Sequence, residues 1–230
     1  LRRMVRDHPS DEFVLLFDRP WDPAFIPGPN VRAVQVPPQA RHPLLYLIWF
    51  EWMLPMVLRR IRPDVFLTPD GYMPRGLRMP SLAVIHDLNF EHFPEGLPPL
   101  ESRFYRHFFP RYARRASRIA TVSEFSRQDI AQQYSIPEHR IDVVFNGANE
   151  DLTPLSETES ARHRKELTGG RPYFFFIGAQ HPRKNILTLL RAFDQLRARG
   201  NDAALVLTGS RRWWTPEVEK AYRGMQYRKD

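Results

Sequence analysis

The sequence contains no cysteine among its 230 residues. Disulfide frameworks, thiolate metal sites and cysteine nucleophiles are therefore excluded. A protein without disulfides suits a reducing compartment, so we expect a cytoplasmic location, with peripheral attachment at the inner face of the membrane as an alternative.

Long hydrophobic runs are also missing. The most apolar stretch, residues 44–58, is interrupted by Glu51 and Pro55, and it is shorter than the ~20 apolar residues that a membrane-spanning helix needs. No apolar signal segment follows the opening residues Leu1, Arg2 and Arg3. We therefore expect no membrane span, and the chain looks as if it begins in the middle of an element.

Acidic residues are in the minority, since 26 of them stand against 34 Lys and Arg for a net charge of +8. This balance favours anionic partners such as nucleotides, acidic lipid surfaces or nucleic acid, without choosing among them. No Asp-x-Asp pair occurs in the sequence. No metal is therefore indicated, and no cofactor is predicted.

Short apolar segments alternate with helical ones along the first part of the chain, which is the pattern of an α/β protein with parallel sheets. The predicted strands are 12–17, 64–68, 81–85, 118–122 and one within 136–145. Ser123 follows the fourth strand, where its hydroxyl would cap the next helix. The sequence therefore predicts Rossmann-like, doubly wound parallel sheets.

Two predicted helices have unusual compositions. The helix over 43–61 has apolar residues almost all round, which indicates burial against a sheet, and insertion into a lipid interface beside residues 59–62 is the alternative. The helix over 101–116 combines arginines with aromatic residues. We interpret it as a buried apolar face with a solvated basic face, and nucleic-acid binding by charge and stacking is the less favoured interpretation.

The composition becomes polar from Ala148 to Arg171, with Pro154 and Gly169-Gly170 inside this stretch. We therefore predict a first domain over 1–147, a loop-like linker over 148–172 and a second domain over 173–230. The second domain is expected to contain a buried strand over 173–177, a helix over 185–199 and a strand over 203–208.

The strongest candidate site follows the first strand of the second domain. Gly178 would let the backbone turn sharply, and Arg183 and Lys184 stand just before the helix that begins near Asn185. Unpaired N–H groups and the dipole at a helix start favour anions, and open α/β sheets bind ligands at the carboxyl ends of their strands. We predict a diphosphate site here, with solvated surface cations in an ordinary turn as the alternative.

Five segments stand in the order found in a known family of enzymes. They are His86-Asp87-Leu88, Thr121-Val122-Ser123-Glu124-Phe125-Ser126, Asn146-Gly147, Ile177-Gly178 with Pro182-Arg183-Lys184-Asn185, and Leu205-Val206-Leu207-Thr208-Gly209. Through these segments the chain resembles, over about residues 64–214, the retaining glycosyltransferases of family 4, which have the GT-B architecture.

The resemblance implies two Rossmann-like domains that face each other across a cleft. The first would bind a glycan or lipid-linked acceptor and the second a nucleotide-diphosphate sugar. By matching position, Arg183 and Lys184 would hold the donor diphosphate and stabilise its charge as the glycosidic bond breaks. His86 would reach the transferred sugar from the acceptor side. The remaining positions that would line the donor site are Gly178, Asn185 and Gly209.

The sequence departs from the family in one respect. The family places two glutamates eight positions apart in the donor domain, and no two glutamates here have that spacing. The resemblance therefore implies that both domains are incomplete and that the chain is a fragment, which we expect to transfer no sugar alone. Residues 209–214, with their two tryptophans, are similar to a stretch of mannose-transferring members, a cue that leaves the donor sugar open.

Two other functions stay open on these residues. One is a basic module that binds nucleic acid or an acidic membrane through residues 59–62 and 103–118 without catalysis, although nucleic acid is the less expected partner. The other keeps the fold and changes the reaction to that of a sugar-nucleotide epimerase or a phosphorylase. The salt dependence of binding distinguishes the basic module from a donor pocket, because non-specific binding to nucleic acid or membrane weakens steeply as salt increases.

Overall fold

A computed structural model describes residues 1–74, 76–148 and 152–230. The chain divides into two compact units, which we call the first unit (Leu1–Asn146) and the second unit (Gly147–Asp230). The predicted end of the first domain at residue 147 lies one residue beyond this division. Residues 149–151 of the predicted linker lie outside the described residues.

The first unit is built from parallel strands and intervening helices. Its strands are β1 (Phe13–Phe17), β2 (Val31–Gln35), β3 (Phe66–Thr68), β4 (Ser81–Val84), β5 (Arg118–Thr121) and β6 (Ile141–Val143). Its helices are α1 (Arg2–Asp7), α2 (Pro43–Ile48), α3 (Leu54–Ile61), α4 (Asn89–His92), α5 (Pro99–Arg115) and α6 (Glu124–Tyr134). Strand β1 pairs with β2, and the other four strands form a sheet in the order β3-β4-β5-β6, all in parallel register.

The predicted α/β class with parallel sheets is therefore confirmed. Each strand that we predicted in the first unit is present, shortened by one to several residues at its ends. Strand β2 was missed, because Arg32 and Gln35 break its apolar alternation while Val31, Ala33 and Val34 are only partly buried.

Aromatic rings form the centre of the first unit, and the ring of Tyr72 contacts several of the others. Its ring lies 5.0 Å from Phe50, 5.3 Å from Phe109 and 5.4 Å from Tyr46. Burial, followed by a hydrogen bond with Tyr105, raises the pKa of Tyr72 far above its usual range, so its phenol stays neutral. The packed rings join the helix over 43–61 to α5.

The predicted helix 43–61 is continuous but not regular. Between α2 and α3 lies a π-helical turn, Trp49–Met53, in which the N–H of Leu54 donates to the carbonyl of Trp49 five residues back. Pro55 explains the irregularity, because its ring has no N–H and would clash with the carbonyl of Glu51 in a regular α-helix. No helix within the described ranges is both long and apolar enough to cross a membrane.

The burial that the apolar composition of this helix indicated is present on one of its sides only. Its core side is formed by Trp49, Phe50, Leu54 and Leu58, each less than 10% exposed. On its outer side Leu44, Ile48, Trp52 and Met56 keep 63%, 39%, 58% and 53% exposure. The sequence is apolar on both sides, so hydrophobicity alone could not distinguish the face that packs on the rings.

Helix α5 has the two faces that we predicted. Phe109, Tyr112 and Ala113 are buried, and the basic residues Arg103 and Arg106 lie on the exposed side. Arg106 donates to the Glu91 carboxylate at 3.2 Å. The aromatic residues of this helix are therefore core residues rather than a stacking surface.

The second unit contains one strand-helix-strand repeat between two further helices. Its elements are α7 (Glu157–Thr168), β7 (Tyr173–Ile177), α8 (Ile186–Ala198), β8 (Ala204–Thr208) and α9 (Pro216–Gly224). Strand β7 pairs with β8 in parallel. Strand β7 is less buried than we expected, since Phe174, Phe175 and Ile177 are 51%, 56% and 74% exposed. Within the described residues β7 pairs with β8 alone, and a paired strand covers an edge of β7 and neither of its faces.

Helix α7 corrects the prediction of a loop-like linker over 148–172. The Ser156 hydroxyl accepts a hydrogen bond from the Glu159 N–H and the Glu159 carboxylate accepts one from the Ser156 N–H, which is a capping box. Gly169 ends the helix in the left-handed conformation. The helix is mostly polar and gives no apolar period, but the Ser-x-x-Glu start and the glycine stop were readable from the sequence.

Substitution of Tyr72 tests the role of the ring cluster. We expect Tyr72→Ala to lower the free energy of unfolding by about 3–5 kcal/mol, because it removes a large side chain from a packed core. Phe125→Ala is the control, since Phe125 is 74% exposed and should change stability by less than about 0.5 kcal/mol. Urea unfolding followed by circular dichroism measures both, and equal effects would contradict a central role for Tyr72.

Candidate functional site

The candidate donor site begins where the loops after β7 and β8 meet. Gly178 and Gly209 have φ angles of 141° and 129°, which favour glycine. The Gly178 N–H donates to the Thr208 carbonyl at 3.1 Å, and the Gln180 N–H donates to the Ser210 carbonyl at 3.1 Å. A Cβ on Gly209 would lie 2.6 Å from the carbonyl carbon of Gly178 and closer still to its oxygen. The two loops therefore share one tightly packed backbone contact.

Two tryptophans of the loop after β8 contact the loop after β7. The indole N–H of Trp214 donates to the side-chain oxygen of Gln180, which is buried at 3% exposure. The ring of Trp213 lies 5.0 Å from the ring of His181. These contacts fix the segment that leads into Arg183. Sequence reasoning noticed the two tryptophans but missed Gln180, because a glutamine in a loop gives no signal of burial.

Arg183 and Lys184 occupy a 3₁₀ turn, Pro182–Lys184, rather than the first turn of α8. Both residues are exposed, and within the described residues neither side chain forms an ion pair. Some other cations of this unit are paired, as in Arg171 and Arg197 with Asp230 at 3.0 and 2.8 Å. The turn therefore presents two adjacent positive charges that no carboxylate of the described chain neutralises.

The backbone of this turn offers fewer anion donors than we expected. The N–H groups of Lys184 and Asn185 donate to the carbonyls of His181 and Pro182 at 2.8 and 2.9 Å, and the Arg183 N–H donates to Nδ1 of His181. Asn185, with φ of 51°, caps α8 by accepting from the Thr188 N–H at 3.4 Å. Recognition of an anion here would therefore depend mainly on the two side chains, assisted by the helix dipole.

His86 lies in the first unit, just after the carboxyl end of β4. Its side chain is exposed, and Nε2 lies 3.1 Å from the carbonyl oxygen of Pro69 in the loop after β3. Because a carbonyl only accepts, this contact places a proton on Nε2, and among the described residues Nδ1 has no hydrogen-bond partner. Gly71 allows the loop after β3 to come this close, since a Cβ there would lie 3.2 Å from Ile85 and Phe109.

Side-chain ion pairs and hydrogen bonds join the helices near His86. His92 of α4 pairs with Asp129 of α6 at 2.8 Å, and the Tyr134 hydroxyl donates to Glu91 at 3.1 Å. Burial, followed by the charge of Glu91, raises the pKa of Tyr134, so it remains a neutral donor. Ser123 caps α6 by accepting from the Ser126 N–H, as we predicted.

The structure thus brings five of the predicted site residues together in the second unit, at the carboxyl edge of β7 and β8. These are Gly178, Arg183, Lys184, Asn185 and Gly209. His86 lies at the corresponding carboxyl edge of β4 in the first unit. In the described part of the chain no three His, Asp or Glu side chains form a group that could hold a metal ion.

Comparison with known proteins identifies the family. A family model described as Glycosyltransferase Family 4 matches residues 6–152, which is more than half of the chain. The chain belongs to glycosyltransferase family 4. The family that the five segments predicted is therefore confirmed, although two of those segments, with Arg183 and Lys184, lie beyond the matched range.

Relatives and solved structures agree with this family. O-antigen chain mannosyltransferase B of Escherichia coli is 29% identical over 158 residues. Among solved structures, the glycosyltransferase WaaG, involved in lipopolysaccharide biosynthesis, has a TM-score of 0.65 at 12% identity. HepE of Anabaena, solved in complex with UDP and glucose, has a TM-score of 0.61 at 15% identity. At such low identities the two structures show the fold alone, which is that of GT-B glycosyltransferases.

The family 4 chain spans only part of each of these proteins. The alignments cover 68% of the chain and 41% of the mannosyltransferase. They cover 99% of the chain and 62% of WaaG, and 91% of the chain and 57% of HepE.

The contact between the two glycine loops can be tested by stability. Gly209→Ala should lower the free energy of unfolding of the second unit by more than about 3 kcal/mol, since its methyl group adds a backbone clash to the conformational strain. Gly170→Ala is the matched control. Gly170 also has a positive φ, 96°, but open space around its Cβ position, so we expect only about 1–2 kcal/mol. Thermal unfolding of both variants measures the difference, and equal losses would show that the loops can separate without cost.

Proposed function

We propose that the protein from which this chain comes is a retaining glycosyltransferase that moves a sugar from a nucleoside diphosphate to a glycan or lipid-linked acceptor. The bond between the anomeric carbon and the diphosphate oxygen breaks, and its electron pair leaves with the diphosphate. The acceptor hydroxyl oxygen forms the new bond to the anomeric carbon, and its proton is released. The observation that carries this proposal is the pair of unneutralised cations on the ordered turn after β7.

The chemical need for these cations follows from the leaving group. Negative charge develops on the diphosphate as the glycosidic bond breaks, and positive groups fixed in advance lower the energy of that state. Arg183 can bind phosphate oxygens with two N–H groups at once, and Lys184 adds a compact charge beside it. The contacts of Gln180 and His181 with the tryptophans support the idea that this turn is preorganised.

His86 is proposed to contact the transferred sugar from the acceptor side. Its open Nδ1 can accept a hydrogen bond from a sugar hydroxyl, while Nε2 is held by the Pro69 carbonyl. The E. coli relative is named a mannosyltransferase, which supports mannose as the sugar to be tried first. A cytoplasmic site of action remains part of this proposal.

Removal of either cation should abolish efficient transfer. In the full-length protein we expect Arg183→Ala and Lys184→Ala each to reduce kcat by roughly 10²–10³-fold, because each removes a charged group from the transition state. Arg199→Ala is the matched control, since Arg199 is an exposed cation at the opposite end of α8. Transfer from GDP-mannose and UDP-glucose to an acceptor extract measures the effect. Full activity in both site variants would contradict the assignment.

His86 should affect turnover and not donor affinity. We expect His86→Ala to lower kcat by roughly 10-fold or more while the Kd for the nucleoside diphosphate stays within about twofold, because His86 contacts the sugar in this proposal. Calorimetric titration with GDP, UDP and ADP at fixed salt gives the Kd values. A large loss of nucleotide affinity in His86→Ala would assign the histidine to a different role.

A further inference from the structure

An open groove of about 730 Å³ lies between α5 and the turn that precedes it. The 3₁₀ turn Pro94–Gly96, which follows α4, forms one wall, and residues 99–107 of α5 contribute the other. Small-molecule sites have volumes of about 300–1,000 Å³, so the groove is large enough for such a ligand. It belongs to the first unit alone, and none of the predicted site residues lines it.

The chain topology places this groove at the same edge of the sheet as His86. Strands β4 and β5 are parallel neighbours, and the chain passes from one to the other through α4 and α5. A helix that connects parallel neighbours runs antiparallel to them, so α5 begins at the carboxyl edge of β4. His86 follows β4 at this edge. The groove therefore lies on the side of the first unit where parallel sheets bind their ligands.

Hydrogen bonds behind the groove hold its two walls together. The Glu91 carboxylate of α4 accepts from Arg106 of α5 at 3.2 Å and from the Tyr134 hydroxyl at 3.1 Å. The turn itself is closed by the Gly96 N–H, which donates to the Phe93 carbonyl at 3.0 Å. The groove is therefore formed before any ligand arrives, and the charge of Arg106 is already paired.

Two residues one helical turn apart give the groove its positive charge. Arg103 and His107 are exposed, line the groove and share one side of α5. Within the described residues neither side chain forms an ion pair. An arginine can bind a phosphate with two N–H groups at once, and an imidazole has an N–H to donate in either protonation state. No side chain caps the start of α5, so the positive end of the helix dipole adds to this attraction for anions.

Ser102 supplies a second observation that points to a ligand. It lines the groove, although it is only 8% exposed. Its N–H donates to the Pro98 carbonyl at 2.9 Å, but within the described residues its hydroxyl has no hydrogen-bond partner. A buried hydroxyl without a partner is uncommon and lowers stability. A ligand in the groove would provide the missing partner.

Glu95 brings a carboxylate to the wall opposite Ser102. Its side chain is exposed, lines the groove and, among the described residues, forms no ion pair. A carboxylate accepts hydrogen bonds from hydroxyl groups and repels phosphate. The groove thus combines cations for an anionic group with two polar side chains that suit hydroxyl groups.

We propose that this groove binds a phosphorylated sugar, with its phosphate on Arg103 and His107 and its hydroxyl groups on Ser102 and Glu95. An inorganic anion would leave Ser102 and Glu95 unused. A nucleotide or nucleic acid is less suitable, because the apolar lining consists of prolines and Leu97, and a base would find no aromatic ring on which to stack.

The phosphorylated sugar has two possible sources with the same chemistry. One is a free sugar phosphate. The other is a phosphate carried by a glycan acceptor, in which case the inference deepens the proposed function and rests on it. Binding to the groove does not itself require sugar transfer, so it can be measured without a donor.

Nuclear magnetic resonance titration of the chain in phosphate-free buffer at fixed ionic strength tests the proposal. The probes are mannose 6-phosphate, mannose and inorganic phosphate. We expect mannose 6-phosphate to bind at least about tenfold more tightly than either of the others, because only it offers both a charged group and hydroxyl groups. The largest shifts should occur at the N–H groups of Leu100, Glu101 and Ser102, at the start of α5.

Substitutions in the groove separate binding from structure. Arg103→Ala should raise the Kd for mannose 6-phosphate by about tenfold or more, whereas Arg115→Ala, an equal loss of charge at the other end of α5, should change it by less than about twofold. Ser102→Ala should raise the Kd by about threefold or more without lowering Tm, because it removes a hydroxyl that has no partner. A serine with a purely structural role would instead lower Tm and leave the Kd unchanged.

A longer probe distinguishes the two sources of the ligand. Mannopentaose with a terminal 6-phosphate should have a Kd at least about tenfold lower than mannose 6-phosphate if the groove belongs to an acceptor site, since further sugar residues add contacts. Equal Kd values would identify a free sugar phosphate as the ligand. Because no donor is present, failure of the proposed sugar transfer would leave all of these results unchanged.

Three results would overturn the proposal. The first is absence of binding by mannose 6-phosphate, or shifts that occur near Arg183 and Lys184 in place of α5. The second is an equal loss of affinity in Arg103→Ala and Arg115→Ala, which would indicate non-specific attraction to a basic surface. The third is an equal Kd for inorganic phosphate and mannose 6-phosphate, which would show that the groove holds an anion and recognises no sugar.

Discussion

Parallel strand pairing is the constraint on which both candidate sites depend. In a parallel sheet all strands end at the same edge, so the loops that follow them are neighbours even when they are far apart in sequence. In the second unit this brings the loop after β7 against the loop after β8, and Gly178 and Gly209 let the two backbones touch. In the first unit it brings His86 against Pro69. Arg183 and Lys184 in the second unit, and His86 in the first unit, thus each follow the carboxyl end of a parallel strand.

Much of the fold was predictable because its signals are local. Apolar strands separated by helical periods give the α/β class, and β7 was predicted with its observed bounds. Strand β2 and helix α7 were missed for the same reason, since each is too polar to show a hydrophobic period. The burial of β7 was overestimated, because a strand's apolar character reports what it can bury and not which neighbours it has.

The residues of the candidate site could be selected from the sequence, but their hydrogen bonds could not. Arg183, Lys184 and Asn185 could be found from their position between a strand and a helix. That the N–H groups of this turn are already used by His181 and Pro182 could not be found, since a 3₁₀ turn and a helix start have similar sequences. The bond from Trp214 to Gln180 joins residues 34 positions apart, and no local pattern reports such a contact.

The π-helical turn between α2 and α3 holds one residue more than a regular helical turn. Loss of one residue from Trp49–Met53 would therefore restore α-helical spacing and change the direction of the flanking side chains little, whereas loss of a residue elsewhere in this helix would rotate one part against the other by about 100°. Pro55 would remain the obstacle to a regular helix, because its ring clashes with the carbonyl four residues before it. The turn is thus the place in this helix where the chain can change length with the least disturbance of the side that packs on the aromatic rings.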